Sequence, residues 1–102
     1  MGRIWFESCV FDSNYANNRG GAISVEGGGH VYKDTTWIRS TIFKNNFVND
    51  DNATQQTNIK GGAIWLDHGM NIIIDKSTFQ NNSVIQKNAN HELNGGAIAI
   101  SK

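Results

Sequence analysis

The chemistry-bearing residues of this 102-residue chain are a scatter of carboxylates, three histidines, one cysteine and three tryptophans. Glu26 and Asp67 stand at matching places, each six residues after the first glycine of a Gly-Gly-Ala-Ile tetrapeptide. A glycosidase needs two carboxylates roughly 5 to 10 Å apart across the scissile bond. Asp34 and Asp75 are further candidates on another face. Aligned acids are also what solvated turns carry, and that is the simpler reading. A lyase would want a calcium cluster. Asp50-Asp51 lies in a polar stretch but lacks the Asp-x-Asp-x-Asp-Gly spacing of a preformed calcium loop. His30, His68 and His91 form no H-x-x-x-H pair and no Cys/His cluster. Cys9, the sole cysteine, excludes an internal disulfide and suits packing better than nucleophilic work. No catalytic residue, metal site or cofactor is therefore expected. The tryptophans leave binding as the remaining chemistry, and their role depends on the elements that carry them.

Those elements repeat. Gly20-Gly21-Ala22-Ile23, Gly61-Gly62-Ala63-Ile64 and Gly95-Gly96-Ala97-Ile98 are one tetrapeptide written three times. It alternates with F-x-x-N, at Phe11 to Asn14, Phe43 to Asn46 and Phe79 to Asn82. The alignment extends further. Two residues before each Phe come Cys9, Thr41 and Ser77, all small, and five before it come Phe6, Ile38 and Ile74. Two after each Asn come Ala16, Val48 and Val84. After the glycines, Ile23/Val25, Ile64/Leu66 and Ile98/Ile100 alternate with Ser24, Trp65 and Ala99. Short alternating runs broken by Gly and Asn predict half-buried strands, and no segment sustains the spacing of a long helix.

The steps from Phe to the next Gly are 9, 18 and 16 residues. The added residues are polar and recur at one point of the unit, which predicts loops leaving one side of a stack. Repeat units at 4–26, 36–67 and 72–102 follow, with protruding loops at 48–60 and 84–94, in a single segment spanning 1–102. The expected fold is all-β: a right-handed parallel β-helix of about three coils. In it Phe11, Phe43 and Phe79 fill the interior. Asn14, Asn46 and Asn82 stack about 4.8 Å apart as a corner ladder, in a left-handed conformation that Asn tolerates. Gly-Gly makes a second corner, where φ is positive or another backbone comes close. Trp5 and Trp37 precede the inward Phe6 and Ile38 by one residue, so they should face out, as should Trp65. The three form a candidate wall for a glycan or protein ligand. Alternation still runs at Ile98-Ala99-Ile100, so the end is expected to be covered by further coils of a longer chain or by end-to-end stacking of partner chains.

Bulk properties limit the partners. Nine basic and nine acidic residues cancel, which argues against a nucleic-acid grip. No apolar run is long enough to span a membrane as a helix.

The paired F-x-x-N and G-G-A-I motifs, from Phe11 to Ile98, resemble the repeats of the chlamydial polymorphic outer membrane proteins, within the pectin-lyase-like superfamily. That resemblance implies a right-handed β-helical passenger exported to the cell surface by an autotransporter barrel, with a non-enzymatic, adhesin-like or scaffolding role. The second and third units carry longer loops than the compact family repeat, and no barrel or translocation segment is recognisable within these residues. The superfamily also includes polysaccharide lyases and glycoside hydrolases, so a fragment of a carbohydrate-active enzyme is the alternative.

Overall fold

Each unit supplies one short strand to each of several sheets, because its apolar stripe is too narrow to bury by itself. The computed structural model describes residues 3–17, 19–25, 35–49, 58–67, 71–85 and 92–100. The first unit contributes β1 (Arg3–Glu7), β2 (Val10–Asp12), β3 (Tyr15–Ala16) and β4 (Ile23–Val25). The second contributes β5 (Thr35–Arg39), β6 (Ile42–Lys44), β7 (Phe47–Asn49), β8 (Asn58–Lys60) and β9 (Ile64–Leu66). The third contributes β10 (Asn71–Asp75), β11 (Thr78–Gln80), β12 (Ser83–Ile85), β13 (Glu92–Asn94) and β14 (Ile98–Ile100). The described residues contain no helix.

The sheets run β1-β5-β10, β2-β6-β11, β3-β7-β12, β8-β13 and β4-β9-β14. All pairs are parallel, and every three-stranded sheet has the second unit in the middle. A bridge from Arg19 to Lys60 carries the first unit onto the β8-β13 pair. The motif alignment is the strand register: Phe11, Phe43 and Phe79 are neighbours, as are Phe6, Ile38 and Ile74. The fold is thus all-β, built of stacked parallel strands, as a β-solenoid requires. Both ends of the expected loop ranges 48–60 and 84–94 are strand, and the residues between, 50–57 and 86–91, lie outside the described residues.

The core runs along the stack. Phe11 and Phe43 stack with ring centroids 4.8 Å apart and Phe43 and Phe79 at 4.7 Å, with interplanar angles of 6° and 4°. That distance is the strand spacing, so the backbone ladder dictates the ring geometry. Phe6 meets Phe11 edge-on at 5.4 Å. Ile38, Phe43, Ile64 and Leu66 of the middle unit are buried, while Phe11, Phe79 and Ile98 of the outer units are only partly so.

Two corners differ from expectation. The ladder asparagines are expected in the left-handed region, but the positive φ falls one residue earlier, at Ser13 (60°), Asn45 (58°) and Asn81 (55°). A matching bend precedes Cys9, Thr41 and Ser77, with φ of 56° at Ser8, 51° at Ser40 and 50° at Lys76. The Gly-Gly corner divides its two demands. Gly61 holds φ of 69°, whereas a Cβ on Gly62 would collide with the Gly96 carbonyl oxygen of the next unit.

Strand β5 carries a buried polar residue in its inward row. Thr36 lies between Ile4 and Ile72 in register, is buried, and its Oγ1 has no hydrogen-bond partner among the described residues. A buried hydroxyl without a partner costs about 1–3 kcal/mol. Thr36→Val keeps the shape and removes the hydroxyl. We expect it to raise the unfolding free energy by about 1 kcal/mol, seen as a higher urea midpoint; a lower midpoint would show that the hydroxyl is satisfied.

Candidate functional site

Side chains that point inward at the corners serve the stack. Asn14 donates from its backbone N–H and from Nδ2 to Asn46 Oδ1, both at 3.0 Å. Asn46 repeats this toward Asn82 Oδ1, at 3.0 and 2.9 Å. The second Nδ2 proton reaches back, from Asn46 to the Phe11 carbonyl and from Asn82 to the Phe43 carbonyl, each at 3.0 Å. Asn46 is fully buried with every polar atom of its amide used. No apolar side chain of that size can satisfy the corner backbone in its place.

A second ladder runs along Cys9, Thr41 and Ser77. Thr41 Oγ1 accepts from the Cys9 backbone N–H at 3.3 Å, and Ser77 Oγ accepts from that of Thr41 at 3.1 Å. Each hydroxyl also donates to the carbonyl two residues back. The Cys9 thiol takes the same pose toward the Glu7 carbonyl at 3.3 Å, so it occupies a structural rung. Smallness was legible in the sequence here, while the hydrogen-bonding role was not.

The outward positions form a different surface. Trp5 and Trp37 stack with centroids 5.3 Å apart and 14° between planes. They project from neighbouring strands β1 and β5, with exposed Ile73 of β10 completing the row. Together with Arg39 and Asp75 they line a shallow depression of about 320 Å³. Trp5 is 54% exposed and its Nε1 donates to Glu7 Oε1 at 3.3 Å. Arg39 Nε lies 3.5 Å from Asp75 Oδ2, so a charged row of Glu7, Arg39 and Asp75 borders the aromatic row.

Trp65 does not join this wall. It occupies an outward register position between Ser24 and Ala99, yet is only 3% exposed, and the Arg19 guanidinium lies 4.6 Å from its ring centroid. The expected three-tryptophan face is corrected to Trp5 and Trp37 alone. Alternation sets the direction of a side chain but not what lies over it. A second outward stack was missed: Tyr15 and Phe47, 5.4 Å apart, with Tyr15 highly exposed. Its signal lies one residue after Asn14 and Asn46, while Ser83 follows Asn82.

Of the acidic candidates, Glu26, Asp34, Asp50 and Asp51 lie outside the described residues, as do His30, His68 and His91. The Asp67 backbone N–H bonds the Val25 carbonyl at 2.9 Å. Asp12 accepts from Ser13 Oγ at 2.8 Å and Asn45 Nδ2 at 3.2 Å, and Lys44 Nζ lies 3.9 Å away. Those two hydrogen bonds, with help from the lysine charge, hold its carboxyl below the ordinary range. No group of three or more potential metal ligands occurs among the described residues.

This geometry places Cys9, Phe11, Asn14 and the first Gly-Gly pair in one continuous unit. Residues 8–26 match the Chlamydia polymorphic membrane protein (Chlamydia_PMP) repeat. The Chlamydia_PMP match bears out the resemblance of the motifs. Its key residues have register partners in both later units: Phe11 with Phe43 and Phe79, and Ile23 with Ile64 and Ile98. No significant match to the chain is found among curated proteins or among solved structures.

Asn46→Leu removes the middle rung: the Asn14 backbone N–H and Nδ2 lose their acceptor, Asn46 Oδ1, and the Phe11 carbonyl loses the Nδ2 donor. We expect a loss of about 1–3 kcal/mol in unfolding free energy by urea denaturation. An unchanged midpoint would contradict the ladder.

Proposed function

We propose that this chain is a non-enzymatic segment of a right-handed parallel β-helix, displayed at a cell surface, whose Trp5–Trp37 face binds a glycan or protein ligand. The Chlamydia_PMP repeat belongs to an outer membrane protein family, which supports a surface location. The observation that carries the binding role is the outward Trp5–Trp37 stack over a shallow depression edged by Arg39 and Asp75. The stack's inward positions are occupied by its own cohesion, whereas Trp5 is left exposed and Trp37 half-buried beneath it. A flat aromatic face suits the apolar face of a sugar ring or an apolar side chain, and the charged edge supplies orientation. Extracellular adhesion fits such a surface better than hydrolysis does. Asp75 is engaged by Arg39.

Trp37→Ala removes half of the stack from a strand whose inward side chains stay in place. We expect at least a tenfold loss of binding to host-cell surfaces or to an immobilised glycan array, the scale of a hot-spot aromatic. Trp65→Ala should act on stability instead, since that ring is covered. Undiminished binding by Trp5→Ala and Trp37→Ala would rule out this face.

A further inference from the structure

We infer that Arg19 and Lys60, between the first and second units, form a binding site for a phosphate group, on a wall separate from the Trp5–Trp37 face. The register brings the two cations together. Arg19 bridges to Lys60 in parallel, so their side chains leave the same face one strand spacing apart. The line continues to Asn94, which is uncharged. Elsewhere the stack sets the cations of the second unit beside acids. Arg39 shares its line with Glu7 and Asp75 and lies 3.5 Å from the latter. Lys44 shares its line with Asp12, 3.9 Å away. The Arg19 line contains no acid. Glu92, on the β8-β13 pair, stands opposite Asn58 instead. No ion pair joins Arg19 or Lys60 to another described residue. Like charges in register repel, and both residues are half-buried, where solvent ions screen them less.

The guanidinium is also held in place and short of an acceptor. Its carbon lies 4.6 Å from the centroid of the covered Trp65 ring, a cation–π contact that fixes the group against the wall. Part of the ordering that a ligand would otherwise have to impose is therefore already done. Arg19 Nε is buried with no hydrogen-bond partner, and no acceptor among the described residues serves its Nη groups either. The wall closes off Nε, so the Nη edge is the one a ligand can reach.

These features select the ligand. A guanidinium stacked on its face is read through its edge, where two N–H groups fit two oxygens of one anion. A tetrahedral phosphate has a further terminal oxygen for the Lys60 ammonium, which acts as a point charge. A phosphate monoester or free phosphate carries close to two negative charges at neutral pH and so answers both cations at once. A carboxylate, with one charge, would answer only one of them. The phosphate can arrive as the free ion or as an ester on a sugar.

Phosphate titration followed in ¹⁵N–¹H spectra of the full chain tests the site, with sodium chloride holding ionic strength constant. We expect saturable shifts at the Trp65 indole N–H and the Gly20 and Gly61 amides with inorganic phosphate and with glucose 6-phosphate, and weaker binding of acetate. Lys60→Gln should weaken phosphate binding about tenfold, the scale of one charge-assisted hydrogen bond. Arg19→Lys, which keeps the charge and loses the fork, should weaken it to a similar degree. Lys76→Gln removes the same charge from another part of the surface and should leave binding unchanged. In chloride alone Lys60→Gln should keep or raise the urea midpoint, because it relieves a like-charge pair; a purely structural lysine would lower it. Tighter binding of glucose 6-phosphate than of the inorganic ion supports the site with a sugar ester as its ligand, and the reverse order supports it with the free ion. Shifts that stay linear in phosphate would overturn the proposal, as would saturable binding of equal strength in Lys60→Gln and Arg19→Lys.

Discussion

A parallel stack makes each residue the neighbour of its own counterparts, one strand spacing above and below. Everything else in this molecule depends on that constraint. It rewards side chains that bond to copies of themselves, and asparagine is well suited because its amide both donates and accepts. Asn46 therefore satisfies two units at once from a fully buried position. The same constraint lines up Phe11, Phe43 and Phe79 as parallel plates, an arrangement that isolated aromatic pairs do not favour. It makes Gly62 obligatory, because the next unit's carbonyl stands where a Cβ would be.

The inward and outward faces then divide the work. Inward residues contribute core packing and two hydrogen-bonded ladders, one of asparagine and one of hydroxyls with Cys9 as a sulfur rung. Outward residues are freed from that duty, yet the register still stacks them. Trp5 with Trp37, and Tyr15 with Phe47, become flat aromatic stacks without any dedicated fold element, with Trp5 and Tyr15 exposed and Trp37 and Phe47 half-buried. The outward surface can thus vary from unit to unit while the interior motif stays constant.

Much of this was legible in the residues. The motifs F-x-x-N and G-G-A-I recur with the same roles in each unit, so aligning them was equivalent to setting the strand register, down to Phe6 with Ile38 and Ile74. What was not legible depends on fine geometry or on long-range cover. The left-handed residue sits at Ser13, Asn45 and Asn81, a step before the ladder, because the asparagine itself must turn inward to bond its neighbour. Lys76 adopts that conformation too, against its local preference, because the stacked register imposes it. Alternation puts Trp65 on the outward side of its strand but does not show its burial, to which Arg19 contributes from a distant part of the chain. The hydroxyl ladder was hidden by the diversity of Cys, Thr and Ser, which share an acceptor but not a side-chain shape.

The claim that side-chain amides hold the units together is tested most directly by residue-resolved amide hydrogen exchange. The Asn46 backbone N–H lies outside any strand, and its acceptor is Asn82 Oδ1 at 3.0 Å. The account predicts that this amide exchanges as slowly as those of Phe43 and Val48 in the flanking strands, with the Asn46 side-chain amide protected as well. Exchange of the Asn46 amide at the rate of an open turn, beside protected strand neighbours, would contradict it.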